Sequence, residues 1–189
     1  RMAMAGHYPD KRSANKGIEP EGLEVARFNG ETYIFVLAER AGLVGVYKDT
    51  GAEPEFVQLL PSGIAPEGAI AIPGRNLFIT ANEADLIEEK GPRSHVMIYL
   101  LSHAEPYYPQ IESVMKGDRP LGWGALSGLV NDSLKANIFY AVNDSFYRNQ
   151  ASIFTIDTSF SPARITKSLP ILRDGVPAQK LDLEGITSD

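Results

Sequence analysis

The chain has 189 residues, 43% hydrophobic and 22% charged, the balance of a globular protein with a real core. Its net charge of -6 and the lack of a long basic run argue against nucleic acid as the main partner. With no cysteine, thiolate chemistry, cysteine-ligated zinc and disulfides are excluded, and no apolar run approaches the roughly 18 residues that span a bilayer.

Residues 1–17 are polar and read as an N-terminal loop or the tail of a preceding unit, with Arg1–Gly6 too short and too weakly apolar for a signal peptide. Strand signals follow quickly. Leu23 and Val25 alternate with polar residues, and Asn29-Gly30 predicts a two-residue hairpin turn into the apolar run 32–38. Ala41-Gly42 breaks that run before Leu43–Tyr47, Asp49-Thr50-Gly51 turns again, and Glu55–Leu60 is a fourth strand. The pattern then repeats. Ala69–Ile72, a Pro73-Gly74 turn and Leu77–Ala81 precede a charged insert, Asp85–Ser94, then His95–Leu100 and a weaker strand over Ile111–Met115. A third series is expected over Ala125–Val130, Ile138–Val142, Ile153–Asp157 and Arg164–Leu172.

Each series opens on the same short motif. Pro20-Glu21-Gly22-Leu23 leads to an apolar run ending on Ala38-Glu39, and Pro66-Glu67-Gly68-Ala69 leads to one ending on Asn82-Glu83. Leu126-Ser127-Gly128-Leu129 is a looser copy ending on Asn143-Asp144, and Leu183-Glu184-Gly185-Ile186 opens a fourth. About forty residues and four antiparallel strands per unit suit a propeller blade. The sequence therefore predicts an all-β chain, a partial β-propeller of about three to four four-stranded antiparallel blades. Unit boundaries are expected at 18–62, 63–118 and 119–178, with 179–189 starting a further blade. A β-sandwich with fortuitously similar strand pairs is the competing fold. Since propellers typically have about 4–8 blades, a fragment of a larger ring is expected, its open edges covered by another copy of the chain or by missing segments.

A glycine after the acid permits close backbone approach or a positive φ. Adjacent antiparallel strands put the start of one beside the end of the next, so both acid sets should gather at one channel mouth. Glu21, Glu39, Glu67, Glu83, Asp144 and Glu184 are the candidate metal ligands, because crowded carboxylates either protonate or recruit a cation such as calcium. Arg40, Asn82, Asn143 and Arg148 lie beside them as candidate substrate donors. His7, His95 and His103 show no metal-ligand spacing, and there is no P-loop or G-x-S-x-G elbow. Trp123 reads as a loop aromatic packed at a blade end.

The run Lys11-Arg12-Ser13-Ala14-Asn15-Lys16-Gly17-Ile18-Glu19-Pro20-Glu21-Gly22, with the Pro-Glu-Gly and Ala-Asn-Glu segments of 66–83, resembles secreted bacterial alkaline-phosphatase-like proteins of the choice-of-anchor I type. Leu126–Leu129, Tyr140–Ser145, Ile153–Asp157 and Leu181-Asp182-Leu183-Glu184-Gly185-Ile186 are similar to the phytase-like esterase family. The resemblance implies an extracytoplasmic bacterial propeller, secreted or periplasmic, related to calcium-using phosphatases and phytases, with a small phosphorylated substrate. Ser127 departs from the acid expected before the glycine and would remove one oxygen ligand. The alternative is a non-catalytic propeller that presents loops 84–94 and 145–151 to a protein or glycan partner.

Overall fold

The computed structural model describes residues 1–104, 110–144, 147 and 150–188. Among them every regular element is a strand, apart from single 3-10 turns at Asp10–Arg12, Glu39–Ala41 and Pro73–Arg75, and no helix is long and apolar enough to cross a membrane. The chain divides into two compact units, one over 15–105 and one combining 1–14 with 106–189.

The 15–105 unit holds two antiparallel sheets. The first is a meander of β1 (Pro20–Phe28), β2 (Glu31–Ala38), β3 (Leu43–Lys48) and β4 (Glu55–Pro61), and the second runs β5 (Pro66–Ile72), β6 (Leu77–Asn82), β7 (His95–Leu100). Asn29 and Gly30 both take positive φ, 51° and 88°, as a two-residue turn between paired Phe28 and Glu31 demands. The β5–β6 turn differs from expectation: its left-handed residue is Asn76, which closes the 3-10 turn onto the Pro73 carbonyl, not Gly74.

The two sheets pack face to face. Phe28, Phe35, Leu37, Val44 and Val46 bury themselves against Phe78, flanked by Ala69, Ala71 and Tyr99 from the second sheet. Phe35 and Phe78 stack with ring centroids 4.0 Å apart. β1 and β5 are edge strands, and Glu24 of β1 accepts the Ala71 amide of β5 at 2.9 Å, occupying an edge donor. The apolar run 33–37 is buried most at Phe35 and Leu37, and Leu43–Val46 of β3 is buried at every position, the signature of a strand covered on both sides.

The opposite face of the second sheet is apolar across all three strands. Its cross-strand rows are Gly68–Ala81–Val96, Ile70–Ile79–Ile98 and Ile72–Leu77–Leu100. Ile70, Val96, Ile98 and Leu100 are each more than half exposed there.

The other unit is built on a five-stranded sheet. Its strands are β8 (Ile111–Ser113), then, beyond a small hairpin of β9 (Met115–Lys116) and β10 (Arg119–Pro120), β11 (Leu126–Asn131), β12 (Ile138–Asn143), β13 (Ser152–Asp157) and β14 (Ala163–Pro170). A last hairpin, β15 (Leu172–Arg173) and β16 (Val176–Pro177), turns at Asp174-Gly175, both at positive φ. Ala141, Phe154, Ile156 and Ile165 form the core. One expectation is corrected here. The stretch 111–115 is not a fourth strand beside β7: β8 pairs parallel with β14, and Met115 starts the separate hairpin. Residues 1–14 lie on this unit, where the Met4 carbonyl accepts Ser113 N–H at 2.8 Å and Trp123 Nε1–H at 2.7 Å. Gly6, at φ +75°, lies under the Trp123 ring, where an added Cβ would come within 2.8 Å of ring carbons.

Gly22 is required by space and not by φ. A Cβ there would overlap the Glu67 carbonyl oxygen and touch Leu37 at 3.0 Å. Because the nearest obstacle is backbone, Gly22→Ala should cost about 1–3 kcal/mol in urea unfolding. Gly74→Ala, whose Cβ meets nothing within 4 Å, should change stability little; equal effects for the two variants would refute the assignment.

Candidate metal centre

One backbone device recurs at the start of three strand pairs. In β1–β2 the register jumps between Pro20 and Gly22, in β5–β6 between Pro66 and Gly68, and in β11–β12 between Leu126 and Gly128. Glu21, Glu67 and Ser127 are therefore the extra residues of three equivalent β-bulges, which re-aim a side chain. Two positions before each bulge stands a non-glycine residue in the left-handed region: Glu19 at 47°, Ala65 at 57° and Ala125 at 46°. Such a conformation costs of order 1–3 kcal/mol and persists only where its surroundings impose it. Here a hydrogen bond does so. The amides of Glu39, Glu83 and Asp144 donate to the carbonyls of Glu19, Ala65 and Ala125 at 3.0, 3.0 and 2.9 Å. The second acid of each unit is thereby pinned beside the first.

In the 15–105 unit this brings five carboxylates together. Glu19, Glu21 and Glu39 can each offer an oxygen within 4.8 Å of the others, and so can Glu39, Glu67 and Glu83. Oxygens on opposite sides of one Ca²⁺ lie roughly 4.6–5.2 Å apart at ordinary bond lengths, so both groups have the span of a cation site. Glu39 belongs to both. Its side chain is 2% exposed, and Oε1 lies 3.0 Å from Arg40 Nη2 without the alignment of a hydrogen bond, leaving that buried oxygen with none. Burial pushes the Glu39 carboxyl above its ordinary value near 4.5; Arg40 opposes the shift, while Glu21, Glu19 and Glu67 add to it. Glu67, exposed at the rim, is raised by desolvation and by the charge and hydrogen bond of Glu83. An all-oxygen donor set, a buried oxygen without a hydrogen bond and two carboxyls resisting ionisation fit a hard divalent cation.

Arg40, expected as a substrate donor, is anchored in this cluster: Nε donates to Glu19 Oε2 at 2.7 Å. Lys16 pairs with Glu21 at 3.3 Å. Asn82 and Asn143, also expected as donors, are buried and committed elsewhere. Asn82 accepts from Ser62 Oγ at 2.7 Å and donates to the His95 carbonyl at 3.2 Å; Asn143 donates to the Gln150 carbonyl at 3.1 Å and accepts Ser152 N–H at 2.8 Å. Each amide ties the end of one strand to the chain's return after a long insert. Ala38 takes the place where the connection is only the turn 39–42. Arg148 and most of loop 145–151 lie outside the described residues.

The 1–14/106–189 unit carries the device with different chemistry. Asp144 keeps Oδ1 buried with no hydrogen bond among the described residues. Ser127 Oγ donates a very short bond to the Leu183 carbonyl, and a Cβ on Gly128 would lie 2.8 Å from Gly185 Cα. Glu184 is exposed and outside any strand, and among the described residues no three-acid group forms with it or with Asp144. Glu19 was not among the sequence-derived ligands, because its position does not recur: Ala65 and Ala125 stand there in the other units.

A choice-of-anchor I domain model matches residues 2–52, and a model described as the esterase-like activity of phytase matches 121–189. These are the two families that the sequence resembles, although the first match stops at residue 52, short of the 66–83 segments. The first match contains Glu19, Glu21, Glu39 and Arg40, whereas Glu67 and Glu83 lie in neither. No curated protein matches the chain. Among solved structures, Kuenenia stuttgartiensis hydrazine synthase is similar at a TM-score of 0.32 and 13% identity, over 74% of this chain and 34% of that one. The chain thus spans about a third of that protein's chain, a likeness too slight to bear on fold or function.

A carboxyl whose folded pKa is raised holds its proton more tightly in the folded state, so folding is favoured at low pH and loses stability as pH climbs through the raised value. Without divalent cations, the wild type should therefore lose stability relative to Glu39→Gln as pH rises from about 4.5. Thermal melts of both proteins across that range test it, and a constant difference would refute it.

Proposed function

We propose that the chain is part of a bacterial β-propeller, secreted or periplasmic, with a phosphoesterase-like activity, and that its clustered glutamates hold calcium. The observation that carries this reading is Glu39, a buried carboxylate shared by two three-acid groups. The propeller assignment is supported by the repeated bulge, by meander sheets packed face to face, and by the apolar outer face of the second sheet. That face carries Gly68, Ile70 and Ile72 at the positions that Gly22, Glu24 and Ala26 occupy where the first sheet meets the second, so another sheet of the same kind would cover it. The choice-of-anchor I match supports a surface or secreted setting, and the phytase-like match supports a phosphoesterase-like activity.

In this reading Glu39, Glu67 and Glu83 bind the cation, with Glu19 and Glu21 beside them. Bound there, calcium would polarise a phosphoryl oxygen and lower the pKa of a water. Glu39 is fixed by the hydrogen bond its backbone N–H donates to the Glu19 carbonyl and by Arg40, so its carboxylate needs no rearrangement to serve as a ligand. The exposed pair Glu67 and Glu83 leaves the cluster open to solvent and to a small ester.

Calcium titrated into the chain should bind and raise its melting temperature, by about 2.7 kcal/mol of stabilisation at a hundredfold excess over Kd. Glu39→Gln should weaken binding at least about tenfold. Aryl phosphate and phytate hydrolysis by a protein containing the chain should disappear with chelator. No calcium binding would reject the metal site; binding without hydrolysis would favour a module that presents loop 84–94 to a partner.

A further inference from the structure

We infer that Arg40 is a tethered cation occupying the first group of acids, so that the cluster takes a single divalent ion, seated on Glu39, Glu67 and Glu83. The inference rests on the metal reading above and assigns the ion to one side of Glu39. The two acid groups are similar in span but not in neighbours. On the first, Arg40 reaches Glu19 at 2.7 Å and Glu39 at 3.0 Å, and Lys16 reaches Glu21 at 3.3 Å. An ion placed among those oxygens would meet a guanidinium already there. On the second, no lysine or arginine among the described residues makes an ion pair with Glu67 or Glu83, and these two acids lean on each other.

Glu39 is the hinge between the two sides. Its Oε1 is buried without a hydrogen bond although a guanidinium nitrogen stands at 3.0 Å. Arg40 thus offsets its charge without saturating it, and the remaining coordination capacity can turn to an ion on the Glu67 side. A carboxylate leaving water for this position needs a partner, and the arginine supplies only part of one. Hard cations take such carboxylates in preference to water as ligand charge accumulates. Arg40 makes its direct ion pairs on one flank, with Glu19 and Glu39, and reaches Glu67 only through the longer-range pull of its charge.

The test is calcium binding by titration calorimetry on the full chain, with variants at exposed positions that leave the core untouched. Glu67→Gln and Glu83→Gln should each weaken binding about tenfold or more, while Glu21→Gln stays within about threefold of wild type. Arg40→Met should tighten binding several-fold, since the competing charge is gone, and melting curves would verify that each variant folds. If wild type binds but Glu21→Gln weakens it as much as Glu83→Gln, or Arg40→Met weakens it, the tethered-cation assignment is overturned. If wild type binds no calcium, the metal reading itself fails first.

Discussion

The backbone of Gly22 runs against the backbone of Glu67 with no room for a methyl group between them, and most of the 15–105 unit follows from that contact. It sets how closely the two sheets approach, and therefore that Phe35 can stack on Phe78 at 4.0 Å. It also fixes where the bulged acids stand. Glu21 precedes the glycine and Glu67 is the residue it touches, so packing and electrostatics are decided at one point. A larger residue at position 22 would separate the sheets and the carboxylates together.

Gathering acids this way works against folding, since like charges in a partly buried space repel. The chain answers with local means. Left-handed residues, whose carbonyls accept hydrogen bonds from the acids' backbone N–H groups, hold the acids in place, and Arg40 and Lys16 offset part of the charge on one side. What remains concentrates on Glu39, Glu67 and Glu83. Bulges at equivalent places in three strand pairs argue that the arrangement belongs to the repeat, while the identity of the acid is free to vary, as Ser127 demonstrates.

Much of this was legible in the sequence because local signals and repetition agreed. The Asn29-Gly30 turn, the meander of four strands and the meeting of Glu21, Glu39, Glu67 and Glu83 all follow from turn chemistry and antiparallel geometry. The failures have particular causes. Glu19 has no counterpart in the other units, so a repeat argument passes over it. Asn82 and Asn143 sit beside the acids in sequence, but the amide needs of a long insert claim them. The stretch 111–113 is apolar enough for a strand, yet only tertiary contact reveals that its partner is β14 and that the pairing is parallel. The same is true of residues 1–14, whose anchor is the Trp123 indole, more than a hundred positions away.

Ser127 carries a consequence for the fourth motif. Its hydroxyl donates to the Leu183 carbonyl, and Gly128 lets Gly185 approach the same spot. An ionised glutamate has no proton to give and would set one acceptor against another. The serine therefore makes this junction a hydrogen-bonded seam that needs no charged group, whereas the same position holds an exposed carboxylate at Glu21 and Glu67. The repeat uses one backbone position in two ways, to present a carboxylate at one junction and as a neutral fastener at the next.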